Sequence, residues 1–157
     1  QIPTSENVAR VLWDKLQAQP DIGSLQRLSL YEDEDLCADL TAEAGLEVAS
    51  VTRRYSFTAV HDGQRGHTWD LFASVHGPID RETGMVPDIV ALEHLLKERV
   101  LVPFDGRDLR MVLATPSVTG EYLAKAVWDR IVSAIPAGTL QLVKLVQTRD
   151  LFYEYAG

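Results

Sequence analysis

The sequence predicts an α+β fold over residues 46–157, in which a four-stranded antiparallel sheet carries two helices on one face. Two observations support this prediction. Apolar and polar residues alternate over 46–61 and 66–77, which is the period of two expected for a strand with one buried face. Apolar residues then recur at helical spacing over 83–100 and again after residue 119, and two further short strand patterns follow.

Each of these elements has one apolar face, and the first two strands place histidines at the ends that flank their connecting turn. We expect the two strands to pair as a hairpin that closes over 62–66. The faces consist of Phe57, Ala59 and His61 on the first strand, His67, Trp69 and Leu71 on the second, and Ile89, Leu92, Leu95 and Leu96 on the helix.

The two ends of the chain repeat one another. Residues 3–40 align without a gap on residues 118–155, at a constant shift of 115 positions. Eleven of the 38 aligned pairs are identical, including Trp13 with Trp128, whereas ordinary residue frequencies would give about two or three. Each copy predicts a helix followed by two strands, and Thr4 or Thr119 is suited to cap the helix start.

The repeat predicts how the chain is organised. Residues 46–157 form one complete unit, and residues 1–42 form the C-terminal half (helix, strand, strand) of a first unit. The favoured interpretation is a tandem protein of two units, with roughly 70 residues of the first unit missing from this sequence. The alternative is a chain with an additional helix and hairpin, whose apolar helix face would need another partner.

Composition excludes several classes of protein. A net charge of −8 argues against a nucleic-acid surface, and no apolar run approaches the roughly 20 residues that span a bilayer. The single cysteine, Cys37, excludes an internal disulfide, and we expect it to be a small core residue in a cytoplasmic protein.

Several motifs, in a fixed order, resemble the 6-pyruvoyl-tetrahydropterin synthase family, which includes the 6-carboxytetrahydropterin synthases. The most specific are PTSEN at 3–7 and TGMVPD at 83–88. The others are FTAVH (57–61), RGHTW (65–69), VHG (75–77), FDGRDL (104–109), VTGEY (118–122), VQT (146–148) and YED (31–33).

The resemblance implies a T-fold unit (tunnelling fold) whose sheets join edge to edge into a barrel when the protein forms a homo-oligomer. It also implies a zinc ion held by three histidines, and proton transfer by a cysteine and an aspartate–histidine pair. A glutamate would hold the amino-pyrimidine edge of a pterin substrate.

The chain departs from that pattern at the metal ligands. His61 and His67 match two of the three histidines, but Arg65 stands at the third position. A catalytic zinc needs three protein ligands, and arginine stays cationic and cannot bind a metal. Asp62 is the one nearby residue that could substitute as a ligand. We therefore expect no zinc and no other cofactor, and Arg65 becomes a candidate anion-binding residue.

The proton-transfer residues are also incomplete. The loop after His61 has no cysteine, and Cys37 matches no family position. Asp105 retains the aspartate of the aspartate–histidine pair, but Gly106 replaces the histidine. No catalytic set is therefore intact, and Asp105 is its remnant.

The pterin-binding residues differ between the two copies. Glu32 in the first copy retains the family's glutamate, whereas Gln147 replaces it in the second. A carboxylate accepts twice from an aminopyrimidine edge, while an amide offers only one acceptor. Together with the helix starts at Thr4 and Thr119, these are the predicted pterin-binding residues.

Three functions remain open on these residues. The first is a pterin-binding homologue whose zinc and catalytic residues are degenerate. The second is an active pterin-converting lyase with altered chemistry, or with a site completed by the missing N-terminal segment. The third is a structural copy that completes a ring without binding a ligand.

Overall fold

A computed structural model describes residues 2–61, 63 and 65–157, and its described strands form one antiparallel sheet in the order β1-β2-β3-β4-β5-β6. Each strand pairs with its sequence neighbour. The strands are β1 (Arg27–Tyr31), β2 (Leu36–Thr41), β3 (Val48–Ala59), β4 (His67–Pro78), β5 (Thr139–Thr148) and β6 (Leu151–Tyr155).

The predicted four-stranded sheet is β3 to β6, and the hairpin of β1 and β2 extends it beyond β3. Leu36 pairs with Arg53, and Asp39 pairs with Ser50. The helix–hairpin of the first copy therefore lies beside the complete unit within one continuous sheet of six strands.

Helices pack against the sheet, and their starts follow the predicted capping chemistry. The helices are α1 (Ser5–Gln17), α2 (Ile89–Leu96), α3 (Val102–Phe104), α4 (Leu109–Val112) and α5 (Gly120–Ile131). The Thr4 hydroxyl accepts from the Asn7 backbone N–H at 3.2 Å, and the Thr119 hydroxyl accepts from the Tyr122 N–H at 3.2 Å. Both threonines are thus N-caps, as the sequence predicted.

The predicted helix over 83–100 begins later than its pattern indicated. Residues 79–88 form a loop, and α2 starts after Asp88, whose carboxylate caps it by accepting from the N–H groups of Val90 and Ala91. A π-helical segment, Lys97–Leu101, joins α2 to α3. Leu96, Val100 and Phe104, which are spaced four residues apart along this stretch, are all buried in the core.

The core lies between the helices and the apolar face of the sheet. Trp69 and Leu71 on β4 are buried there, as the alternating pattern predicted, and Val75 is buried beside them. The opposite face of the sheet is polar, with Arg27, Ser50 and Lys144 among the residues of a 660 Å³ cleft. No helix among the described residues is long and apolar enough to cross a bilayer.

Candidate functional site

The hairpin of β3 and β4 places His61 and His67 side by side. Their ring centroids are 5.8 Å apart, and both rings contact the indole of Trp69, at 5.3 Å from His61 and 4.9 Å from His67. Each of the three rings meets the others edge to face. Because His67 and Trp69 are two residues apart on β4, they point to the same face of the sheet.

Most of this cluster is shielded from solvent, since His61 and Trp69 are buried and His67 is half-buried. Burial, and secondarily the charge of a protonated His61, lower the pKa of His67. Within the described part of the chain, the buried Nε2 of His67 and the buried indole nitrogen of Trp69 have no hydrogen-bond partner. Buried polar atoms normally have partners, so these two nitrogens identify a position where a ligand atom or water would be accommodated.

The segment Phe104–Leu109 runs beside the histidine-bearing end of β3. The Asp105 carboxylate accepts from the backbone N–H of Thr58 at 2.8 Å, and the Gly106 N–H donates to the Thr58 carbonyl at 2.6 Å. Asp105 therefore anchors its loop to β3. Gly106 adopts a φ of +69°, a backbone conformation that favours glycine, and it has no side chain that could transfer a proton.

The described residues do not fit the family's zinc site. Arg65 lies in the same loop with an exposed side chain, so the third ligand position has no metal-binding group. Among the described residues, no three His, Cys, Asp or Glu side chains are grouped so that they could hold a metal. Asp62, the candidate substitute, lies outside the described residues. Two imidazoles alone do not complete a three-ligand zinc centre.

The second copy brings Gln147 close to the histidine cluster. Tyr153 on β6 donates its hydroxyl hydrogen to Gln147 Oε1 at 3.3 Å, and its ring centroid is 6.3 Å from that of Trp69. The ring of Tyr153 also lies against Gly120, the first residue of α5 after Thr119, where any Cβ would overlap it. The structure thus brings Gln147, Thr119 and the histidine pair to one end of the sheet.

The first copy brings Glu32 close to the start of α1. Ser5 donates its hydroxyl hydrogen to Glu32 Oε2 at 2.6 Å, directly after the capping residue Thr4. Glu32 itself is exposed in the turn between β1 and β2. The predicted pair of Glu32 and Thr4 is therefore adjacent, and Ser5, which the sequence did not single out, connects them.

The start of α1 is also fixed to the loop that carries TGMVPD. Thr4 donates its hydroxyl hydrogen to the Gly84 carbonyl at 2.5 Å, and the buried Glu6 carboxylate accepts from the Val86 N–H at 3.0 Å. Gly84 has a φ of +76°, and a Cβ there would lie 2.3 Å from the Asn7 amide. The sequence contained a signal for Glu6, since it is identical to Glu121 in the repeat, but not for its partner.

Within one chain the two predicted pterin-binding groups are far apart. The turn that holds Glu32 lies beside Arg54, whose N–H donates to the Asp35 carbonyl. His61 follows seven residues later, which corresponds to roughly 20 Å of extended chain. Glu32 therefore belongs to a different region from the cluster of His61, His67 and Gln147.

Cys37 lies on β2 and is buried, as predicted, but it lies outside the hydrophobic core cluster in which a core residue was expected. Burial, and secondarily the neighbouring charge of Asp39, raise the pKa of its thiol. A raised pKa keeps the thiol protonated near neutral pH and lowers its reactivity. Cys37 sits on the polar face of the sheet, in the cleft near Arg27 and Asp39, whereas the histidine pair and Trp69 are on the opposite face.

Comparison with known proteins identifies the relatives of this arrangement. A family model for 6-pyruvoyl tetrahydropterin synthase matches residues 50–157, which is more than half of the chain. The chain belongs to the 6-pyruvoyl tetrahydropterin synthase family. The family resemblance found in the sequence motifs is thereby confirmed.

Individual members of the family support the same conclusion. The chain is 30% identical to the 6-pyruvoyl tetrahydrobiopterin synthase of Pongo abelii, with 69% of this chain and 92% of that protein covered. The corresponding protein of Homo sapiens is 29% identical with the same coverage. A solved structure of Caenorhabditis elegans 6-pyruvoyl tetrahydropterin synthase superposes with a TM-score of 0.63, covering 70% of this chain and 96% of that one. At 22% identity that superposition establishes the shared α+β T-fold.

Proposed function

We propose that this chain is a pterin-binding member of the 6-pyruvoyl tetrahydropterin synthase family whose zinc and proton-transfer residues are degenerate. One observation carries the proposal. The site has two imidazoles side by side, but an exposed arginine holds the third ligand position and a glycine follows Asp105. The fold around the site is retained while the groups that would perform the family's acid–base chemistry are not.

Glu32 is the proposed anchor of the pterin. Its carboxylate is exposed at the β1–β2 turn and is oriented by Ser5 at the start of α1. An ionised carboxylate accepts two hydrogen bonds from the two donors of an aminopyrimidine edge, with charge assistance. Gln147 is the weaker equivalent, because one of its two polar groups is a donor, and Thr4 and Thr119 position the adjoining helix starts.

Because Glu32 and the histidine cluster lie in different regions of one chain, Arg65 is the proposed contact for an anionic group of a ligand whose pterin is held by Glu32 of a neighbouring chain in the homo-oligomer. Its exposed guanidinium lies two residues from His67, in the loop that closes the β3–β4 hairpin. A guanidinium binds phosphate or carboxylate through two parallel hydrogen bonds.

The protein is proposed to act as a homo-oligomer. β6 is an edge of the described sheet, and it exposes Leu151 and Phe152, so it is the edge proposed to meet another chain. Exposed apolar edge strands tend to pair with strands of another chain, and closing the sheet into a barrel removes the edges. Multi-angle light scattering at micromolar concentration is expected to give a multiple of the 17.5 kDa chain mass. A monomer would contradict the assembly.

The test of pterin binding compares Glu32 with Glu34, a second carboxylate in the turn between β1 and β2. A soluble fluorescent pterin is titrated into the intact protein, the Glu32→Gln variant and the Glu34→Gln variant. Glu32→Gln replaces the proposed anchor with the residue type found at Gln147, and Glu34 is a matched exposed carboxylate two residues away. We expect Glu32→Gln to weaken binding by about tenfold or more, since a hydrogen bond to a charged group contributes roughly 1.5–3 kcal/mol. Glu34→Gln should leave binding unchanged.

Three results would contradict the proposal. Equal affinity in the protein and in Glu32→Gln would show that Glu32 is not the anchor. If the unaltered protein does not bind the pterin at all, the function reduces to a structural copy of the family fold. Stoichiometric zinc with turnover would instead favour an active lyase.

A further inference from the structure

The helix of the first copy exposes an apolar stripe. Val8, Leu12 and Leu16 lie at helical spacing on α1, and their side chains are 38%, 37% and 37% exposed. A three-residue aliphatic stripe on one face of a helix normally packs against another element. The other face of α1 is covered, because Ala9 and Trp13 are buried against the sheet.

The repeat shows what covers this stripe in the second copy. At the shift of 115, the counterparts of Val8, Leu12 and Leu16 are the following residues of α5: Leu123, Val127 and Ile131. All three counterparts are 0% exposed. They belong to the same buried cluster as Leu92, Leu96, Val100 and Phe104 from the segment that runs from α2 to α3.

Polar contacts fix that segment over α5. The Arg130 guanidinium donates to the Arg99 carbonyl at 3.2 Å and lies 4.8 Å from the ring centroid of Phe104. Lys15, which is exposed, is the counterpart of Arg130 on α1. The first copy therefore has both the aliphatic stripe and the cation with which a helix like α2 would pack.

β1, the strand beside α1, has an unpaired outer edge among the described strands, at the position where its counterpart β5 is paired. β5 is paired on both sides. On the side away from β6 it pairs with β4, from Val146 with Asp70 to Leu142 with Ser74. The counterpart of these β5 residues is β1, which pairs with β2 on one side and ends the described sheet on the other. Both α1 and β1 thus present, uncovered, the surfaces that residues 67–104 cover in the second copy.

We infer that this continuous surface, the α1 stripe with the outer edge of β1, is the docking site for a strand–strand–helix segment of a first unit. The occupant has the chemistry of residues 46–113 and precedes α1 in the same polypeptide. Its second strand pairs with β1, and the aliphatic face of its helix covers Val8, Leu12 and Leu16. A second copy of this chain cannot supply the helix without unfolding, because its own α2 segment already covers its own α5.

Cysteine labelling of α1 tests the inference with the chain's own sequence as the surrogate occupant. Residues 43–117 are fused directly ahead of Pro3, because Pro3 corresponds to Val118 and the fusion reproduces the native spacing. A single thiol is introduced by Leu12→Cys in a Cys37→Ser background. Met111→Cys, on exposed α4, is the matched control. The rate of reaction with a maleimide is measured in the fused and unfused proteins.

The expected result is at least about tenfold slower labelling of Leu12→Cys in the fusion, with no change in Met111→Cys, since a covered thiol reacts only on local opening. Equal rates in a folded fusion would overturn the inference. Leu16→Cys, at the end of the same stripe, is a second probe, and equal rates in the fused and unfused proteins there would overturn the inference too. Concentration-dependent protection in the unfused chain would assign the surface to a second copy and also overturn it.

Discussion

The two helix–hairpin copies have the same local structure and different surroundings. α1, β1 and β2 correspond to α5, β5 and β6 at one constant shift, and each helix starts from a capping threonine. Yet the same helical face is more than a third exposed on α1 and fully buried on α5. Local sequence thus specifies helix and hairpin, whereas burial depends on which other segments pack against them.

At the starts of the two helices the difference in burial is reversed, because here the residue of the first copy is the buried one. Glu6 of the first copy is buried and accepts from the Val86 N–H, so its motif is bound to the loop of the neighbouring unit. Glu121, its counterpart, is exposed. The contact between PTSEN and TGMVPD therefore joins the two copies across the chain.

The largest expected difference in the free energy of unfolding is between alanine substitutions at two equivalent aliphatic positions, Ile131 and Leu16. Ile131→Ala should lower the free energy of unfolding by about 2–5 kcal/mol, because it removes a fully buried side chain. Leu16→Ala should cost no more than about 1 kcal/mol, since its side chain is already partly in water. Urea unfolding followed by circular dichroism measures both. Similar costs would show that α1 and α5 are covered alike in solution.

A smaller difference in stability is expected between substitutions of the two equivalent glutamates, Glu6 and Glu121. Glu6→Ala leaves the buried Val86 N–H without its acceptor, so a loss of about 1–3 kcal/mol is expected. Glu121→Ala should change stability by less than about 1 kcal/mol, the usual contribution of an exposed charge near a helix start. Glu6→Gln retains an acceptor oxygen and should restore part of the loss. A full loss in Glu6→Gln would mean that charge, not the hydrogen bond, stabilises this contact.

A smaller effect concerns the histidine pair, which only the complete unit has. Because the folded-state pKa of His67 is lowered, the unfolded chain binds more protons at mildly acidic pH. This contribution to stability is fully present above about pH 6.5, the ordinary histidine value, and is lost as pH falls toward the folded-state pKa. Unfolding measured between pH 7 and 5 should show a weaker pH dependence for His67→Gln. His94→Gln, on the exposed side of α2, should behave like the unaltered protein.

Much of the fold could be predicted from the sequence, because its signals are local. Alternation predicted the buried faces of β3 and β4, and the threonines predicted both helix starts. The family motifs predicted the T-fold that the structural comparison shows. The sheet order was not predicted in full, since the pairing of β2 with β3 joins segments of the two copies and has no local pattern.

The site was less predictable, because its contacts are long-range. The alternating pattern placed His61 and His67 on apolar faces beside one turn, where the structure has them in contact. Nothing local indicated that Tyr153 would connect Gln147 to Trp69, or that the Asp105 carboxylate would be bound by the Thr58 N–H. Both contacts depend on how distant segments pack. The roles of these residues stay predictions.

The zinc content of the protein, purified without chelators, distinguishes a degenerate metal site from an intact one. We expect far less than one zinc per chain, because Arg65 stands where the family's sequence pattern has its third histidine, so that His61 and His67 are proposed to be the only ligands left. Arg65→His should raise the content to about one zinc per chain, whereas Arg107→His, an exposed arginine of the neighbouring segment, should not. About one zinc per chain in the unaltered protein, lost on His61→Ala, would show that the metal site is intact.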